Sequence, residues 1–129
     1  MRPSSKVGFG LVAVTAALFA VSGNACAQDA AVGEKVFKRY CTLCHNLPTM
    51  DQSRIGPSLK GTVGRKAASY PGFAYSSVLS ASGITWTEDQ LETWLSGPQT
   101  MVPGTKMTFA GVKDAAERAN LIAYLKSNP

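Results

Sequence analysis

Apolar residues recur every three or four positions in two segments of the chain, a period typical of helices that bury one face. The first segment covers Ala30 to about Cys44, and its apolar positions are Val32, Val36, Phe37 and Tyr40. The last covers about Ala115 to Ser127, and its apolar stripe is Leu121, Ile122 and Leu125. Asp114 and Glu117 resemble a capping box at its start. The pattern therefore predicts a helix in each segment.

Between these segments the pattern predicts two shorter helices, Ser76–Ala81 and Thr87–Ser96. The second begins with Thr-Glu-Asp-Gln, a capping-box sequence, and ends at Gly97-Pro98. The stretches 46–72 and 99–111 are rich in glycine and proline and show no strand-like alternation. We expect them to be long loops, and loops of this length are often functional.

The first 27 residues have the features of a secretory signal peptide. Two basic residues precede residues 7–23, which are uncharged and mostly apolar, and Ala25-Cys26-Ala27 places small residues at a cleavage point. We expect cleavage after the last of these alanines, which leaves a single domain of residues 28–129. The alternative is a retained membrane anchor through residues 7–27, but glycine and polar residues shorten its strongly apolar part.

Arg2 and Lys6 are lost with the signal peptide, so the net charge falls from +5 to +3, with 11 basic and 8 acidic residues remaining. This surplus is small and forms no basic run, so it gives no indication of nucleic-acid binding. Cys26 is lost as well, and Cys41 and Cys44 are then the only cysteines. A domain of about 100 residues buries only a modest core, and a large apolar cofactor would enlarge it.

Cys41-Thr42-Leu43-Cys44-His45 has the form C-x-x-C-H, the attachment sequence of a c-type haem. Each thiol can bond one vinyl group of a single porphyrin, and the adjacent imidazole can bind its iron. A zinc site lacks ligands because His45 is the only histidine and no third cysteine remains. A disulfide between residues this close would close a tiny loop and contribute little stability. The motif therefore favours a covalently attached haem.

A haem iron in an electron carrier needs two strong axial ligands, and a chain with one histidine cannot supply a second imidazole. Methionine, lysine, tyrosine, water or no ligand remain, and a methionine thioether raises the potential of a histidine-bound haem. Met50 lies five residues after His45, too near to reach the opposite face. Met101 and Met107 both lie in the loop before the last helix, and their spacing does not decide between them.

Seven blocks of the sequence follow one another along the chain: Cys41–His45, Gly56–Leu59, Gly64-Arg65, Pro71–Tyr75, Gly83–Trp86, Pro103–Met107 and Leu121–Lys126. In order and spacing these blocks resemble class I cytochrome c, the family of small soluble bacterial and mitochondrial electron carriers. The resemblance covers nearly all of residues 28–129. It implies an all-α fold of four or five helices, with crossing N- and C-terminal helices and long loops around one covalently bound haem.

The resemblance also implies roles for individual residues. Haem c would be bound through Cys41 and Cys44, and the axial ligands of its iron would be His45 and Met107. Pro57 would accept a hydrogen bond from the second nitrogen of the His45 imidazole and so fix its tautomer. The residues near the haem propionates would be Arg65, Tyr75, Trp86 and Thr105. In the crossing of the terminal helices, the implied contacts join Gly33 and Phe37 to Leu121 and Tyr124.

The sequence departs from the family pattern at three sites. Trp94 stands where many relatives carry a tyrosine that bonds the methionine sulfur, and Leu79 replaces a polar residue that mitochondrial relatives link to a buried water. Gln99-Thr100 replaces a lysine pair of the mitochondrial docking face. These differences bear on the reduction potential, the inner water site and the identity of the partners.

The implied function is one-electron transfer in the periplasm by a soluble monomer without enzyme activity. Its partners would be redox proteins with acidic docking surfaces, such as a bc1-type complex, a terminal oxidase or reductase, or a dehydrogenase. One alternative is a haem enzyme or gas sensor with a labile sixth ligand. Another is an electron-donating subunit held to an enzyme by an uncleaved N-terminus.

Overall fold

A computed structural model describes residues 28–129. Its five helices are α1 (Ala30–Tyr40), α2 (Ser77–Ser80), α3 (Glu88–Ser96), α4 (Pro98–Met101) and α5 (Ala115–Lys126). Within these residues the only strand-like pairing is a single antiparallel bridge between Lys66 and Thr85, and the predicted all-α class is confirmed. None of the described helices is long and apolar enough to span a bilayer. The predicted signal peptide and the alternative anchor lie outside the described residues.

The first and last helices cross in close contact. A Cβ atom added at Gly33 of α1 would lie 1.9 Å from the Asn120 carbonyl oxygen and 2.8 Å from Tyr124 Cβ of α5, so only glycine allows this approach. Below it, the rings of Phe37 and Tyr124 pack edge to face with centroids 5.6 Å apart. Phe37 and Leu121 are both fully buried. The predicted crossing of the terminal helices is therefore confirmed.

Side chains cap the starts of α3 and α5 as the sequence predicts. The Gln90 N–H donates to Thr87 Oγ1 at 3.2 Å, and the Glu117 N–H donates to the Asp114 carboxylate at 2.8 Å. These bonds satisfy amides that have no partner inside a first helical turn. In α5 the second bond of the capping box, from the Asp114 N–H to the Glu117 side chain, is not formed. The Glu117 carboxylate instead pairs with Arg39 of α1 at 2.6 Å. Glu117, in the first turn of α5, thus ties α5 to α1.

The structure differs from the prediction at the end of α1 and just after α3. α1 ends at Tyr40 rather than near Cys44, and the N–H groups of Cys44 and His45 both donate to the Cys41 carbonyl in the turn that follows. Gly97-Pro98 ends α3 as predicted, but it also begins α4. The fixed φ of proline and its missing N–H suit the first position of a helix. The long loop predicted after α3 therefore opens with a helical turn.

α5 contacts both α1 and α3 and forms the centre of the helical core. Two ion pairs join it to α3, Lys126 to Glu88 at 2.5 Å and Arg118 to Glu92 at 2.6 Å. The segments between α1 and α2 and between α4 and α5 contain no further helix. These two segments and the helices together surround a central cavity.

Candidate cofactor site

The central cavity has a volume of about 280 Å³, and its walls are mainly apolar and aromatic side chains from α1, α3, α5 and the loops. All nine residues that the sequence assigns to haem binding lie on its wall: Cys41, Cys44, His45, Pro57, Arg65, Tyr75, Trp86, Thr105 and Met107. They come from six separate stretches of the chain, which the fold brings to one place.

The end of α1 places both cysteines on the cavity wall. The turn after Tyr40 is closed by the two hydrogen bonds to the Cys41 carbonyl, and both thiols are free. Burial, with a smaller contribution from Cys44, raises the pKa of the Cys41 thiol to about 12. A thiol redox site needs the opposite, a pKa lowered toward neutrality. The surroundings of Cys41 therefore do not suit a dithiol that exchanges with disulfides.

The His45 imidazole is held in one orientation by the two residues Gly56 and Pro57. Its Nδ1 lies 2.9 Å from the Pro57 carbonyl oxygen, so Nδ1–H donates there and Nε2 remains to bind a metal. A Cβ added at Gly56 would lie 2.3 Å from Cε1 of the ring, which shows how closely the backbone supports it. The ring is only 7% exposed, and its burial lowers the pKa of His45. The imidazole is therefore kept in the neutral form that binds metals.

Among the methionines of the described chain, Met107 alone lies on the cavity wall. Met50 is 46% exposed, and Met101 packs beside the hydrophobic core as the last residue of α4. The backbone beside Met107 is tied across the molecule, because the Lys106 ammonium donates to the Ala74 carbonyl at 2.9 Å. The structure thus separates the two methionines that spacing left equivalent.

Arg65 lies on the wall with its guanidinium fixed by the backbone. It donates to the carbonyls of Ser58 at 3.0 Å and Lys60 at 2.9 Å, and it lies 5.5 Å from the centre of the Tyr70 ring. The Tyr70 N–H donates to the Tyr75 hydroxyl oxygen at 3.3 Å, which leaves the Tyr75 O–H available as a donor. This corner of the cavity therefore offers a fixed positive charge and a hydroxyl donor.

The two departures inside the pocket are both buried in its wall. Trp94 packs against Trp86 with ring centroids 5.0 Å apart, and Leu79 lies on the same wall. An aromatic pair that the sequence did not reveal, Tyr40 and Phe109, also lines the cavity with centroids 6.3 Å apart. The sequence gives only a weak indication of this pair, because the helical period identifies Tyr40 simply as part of the apolar face of α1. Its partner is distant in sequence.

The residues present fit a covalently attached haem. The site offers two thiols, a neutral imidazole with one free nitrogen, a thioether and a cation on otherwise apolar walls. These are the groups that attach, ligate and neutralise the charged edge of a haem. In the described part of the chain, no three histidine, cysteine or carboxylate side chains cluster as a metal site would require. The donor set thus favours haem over a protein-bound zinc ion.

Residues 30–129 match the family model described as Cytochrome c. The chain is 45% identical over 121 residues to cytochrome c2 of Blastochloris viridis, and this match covers 94% of the chain and 91% of that protein. It is 43% identical over 112 residues to cytochrome c2 of Rhodomicrobium vannielii, covering 87% of this chain and 89% of the relative. The chain belongs to the cytochrome c family.

Among solved structures, cytochrome cH from Methylobacterium extorquens superposes with a TM-score of 0.72 and 46% identity, covering 77% of this chain and 98% of the other. This cytochrome c is therefore of class I, and the described residues form five helices around its site. It is an electron-transfer protein and not an enzyme. Its cofactor is haem c, and Cys41 and Cys44 have the spacing through which this family attaches it.

Proposed function

We propose that this cytochrome c is a periplasmic one-electron carrier whose haem iron has His45 and Met107 as axial ligands. The observation that carries the proposal is the place of Met107 on the wall of the cavity that His45 also lines, whereas Met50 and Met101 do not line it. Pro57 occupies Nδ1 of the imidazole, so His45 has one nitrogen left for iron. With His45 and Met107 both bound to its iron, haem c would have no position left for a substrate.

Haem c, when bound, supplies a reversible Fe(III)/Fe(II) couple. The chain contributes dry walls, two fixed ligands and one open edge. Leu43 and Ile55 mark that edge, because both line the cavity and yet are 80% and 73% exposed. Electrons would enter and leave at this edge, because a partner protein can come close to the cofactor there.

Arg65, Tyr75, Trp86 and Thr105 are the residues that we assign to the haem propionates. A partly buried carboxylate remains ionised only with donors or a cation beside it. The fixed Arg65 guanidinium and the available Tyr75 O–H supply these at one corner of the cavity. Thr105 is buried in the same wall and adds a hydroxyl.

The partners that we propose are redox proteins with acidic docking surfaces, among them a bc1-type complex, a terminal oxidase or reductase, and dehydrogenases. Two cations support this proposal, one beside the open edge and one elsewhere on the cavity wall. Arg54 is exposed and donates to the Thr42 carbonyl at 2.8 Å, next to Leu43, and Lys106 lies on the cavity wall. Positive charge around the edge would steer acidic partners toward the cofactor.

The ligand assignment is tested by replacing Met107 with alanine in the haem-loaded protein. We expect the reduction potential to fall by on the order of 0.1 V or more and the reduced visible spectrum to change, because a thioether ligand is lost. Met101→Ala is the matched control and should leave both nearly unchanged. Rapid carbon monoxide binding by the untreated reduced wild type would instead favour an enzyme or sensor with an open site.

The partner proposal predicts a salt effect on electron transfer. The rate with a bc1-type complex should fall several-fold as ionic strength rises from about 0.01 to about 0.2 M, because screening weakens steering. Arg54→Gln should lower the low-salt rate and flatten this dependence, as measured by stopped-flow absorbance. Lys126→Gln, which removes a charge outside the cavity wall, serves as the control. A rate independent of salt would contradict the acidic docking surface.

A further inference from the structure

The segment that carries Met107 has little backbone support of its own. After α4 the Thr105 N–H donates to the Val102 carbonyl at 3.1 Å, and this turn sends the chain back beside α4. From residue 106 to residue 111 no N–H or carbonyl group takes part in a backbone-to-backbone hydrogen bond. Side chains must therefore hold this segment in place.

The Gln99 side chain connects this segment to α4. Its amide Nε2 lies 2.6 Å from the Thr105 carbonyl oxygen and 3.1 Å from the Met107 carbonyl oxygen, so one NH₂ group donates to both. Gln99 is the second residue of α4, whose backbone is fixed by bonds to Gly97 and Pro98. The Gln99 amide thus links α4 to the backbone of Thr105 and of Met107.

Lys106 points away from this connection and completes the support. Its ammonium donates to the Ala74 carbonyl at 2.9 Å, on a different loop of the cavity wall. Around Met107 the segment is therefore fastened on two sides, to α4 by Gln99 and to the 70–76 loop by Lys106. Its other end is held by the Lys113 ammonium, which donates to the Ala110 carbonyl. The Gln99 side offers two donors from one neutral group, which matches two carbonyl acceptors without adding charge.

We propose that Gln99 is a positioning residue that keeps the Met107 side chain on the iron in both oxidation states. The proposal rests on the ligation by Met107 proposed above. Without the two hydrogen bonds, the segment swings away from α4 more often and the sixth position opens. Gln99, one of the departures from the family pattern, therefore helps to exclude external ligands from the site.

The experiment measures how fast Met107 leaves the iron. Ferric, haem-loaded protein is mixed with imidazole, and the limiting rate at saturating imidazole reports the opening of the sixth position. Gln99→Ala removes both hydrogen bonds and should raise this rate about tenfold. Gln99→Glu keeps the size of the side chain but places carboxylate oxygens against two carbonyl oxygens, and it should raise the rate at least as much. Thr100→Ala, at the exposed neighbouring position, is the control and should match the wild type.

The same samples are unfolded with guanidinium to separate positioning from general stability. A faster limiting rate with little change in the free energy of unfolding supports the proposal. Wild-type limiting rates in both Gln99 variants overturn it, as do rates that rise only in proportion to the loss of stability. A wrong assignment of Met107 as ligand can be told apart from a wrong role for Gln99. In the first case the Met107→Ala variant keeps the wild-type spectrum and reduction potential, whatever the Gln99 variants do.

Discussion

The lack of a side chain at Gly56 determines where the His45 imidazole lies. The ring is pressed against the Gly56 backbone while Nδ1–H donates to the next carbonyl, that of Pro57. Orientation of a ligating histidine by such a hydrogen bond fixes its tautomer and increases its basicity. The sequence shows this glycine and proline beside each other, but only the folded loop brings them against the His45 ring, which lies eleven residues before Gly56 and twelve before Pro57.

Gly56→Ala tests this arrangement. Its Cβ would lie 2.3 Å from Cε1, 2.7 Å from Nδ1 and 2.8 Å from Nε2 of the His45 ring, so the ring or the loop must move. We expect a loss of about 2 kcal/mol in the free energy of unfolding of the haem-loaded protein. Guanidinium unfolding followed by visible absorbance measures it.

Gly97→Ala is the control for the glycine substitution. The Cβ added there meets only the Thr100 side chain, at 3.3 and 3.6 Å, and the backbone at Gly97 is extended. This variant should retain most of the wild-type stability. Equal stability of the Gly56 variant and the wild type would show that the loop yields without cost.

At the scale of elements, the crossing of α1 and α5 positions the attachment motif. α1 ends at Tyr40, and the cysteines follow at once, so the place of the whole turn depends on how α1 lies on α5. Glu117 reinforces the crossing from the other helix, since its carboxylate receives hydrogen bonds from Arg39 at 2.6 Å and from Tyr40 at 3.3 Å. A shift of either helix would therefore be felt at the haem site.

Gly33→Ala should damage this crossing. The added Cβ would lie 1.9 Å from the Asn120 carbonyl oxygen, and a backbone atom cannot move aside as a flexible side chain can. We expect a loss of about 3 kcal/mol in the free energy of unfolding, with a lower yield of folded, haem-loaded protein. Val32→Ala, at the neighbouring and 40% exposed position, is the control. A wild-type stability for Gly33→Ala would contradict the close packing of α1 on α5.

At the scale of the whole molecule, export and cofactor attachment are linked in the proposed function. If the proposed cleavage after Ala27 removes the leader, the mature protein should have the mass of residues 28–129 plus one haem. The same residues produced in the cytoplasm without a leader should lack covalent haem. Mass spectrometry of both samples measures this, and a retained leader in native protein would favour the form anchored through residues 7–27.

The sequence by itself determined whatever depends on near neighbours. Periodicity located the terminal helices, Thr87 and Asp114 marked the starts of α3 and α5, and the C-x-x-C-H motif identified the cofactor. Helix starts and a two-thiol attachment involve groups within a few residues of one another, so their chemistry is written in consecutive positions. The matching order of seven blocks added the fold.

Only the tertiary structure decided which distant groups meet. It placed Met107 and not Met101 on the cavity wall, paired Tyr40 with Phe109, and turned Gln99 toward two carbonyls of a returning chain. It also paired the Glu117 carboxylate with Arg39 of α1, so Glu117 does not form the second bond of a capping box. Each outcome depends on how loops without regular hydrogen bonding pack on the helices. Local propensity cannot predict that packing, because the contacting residues are far apart in sequence.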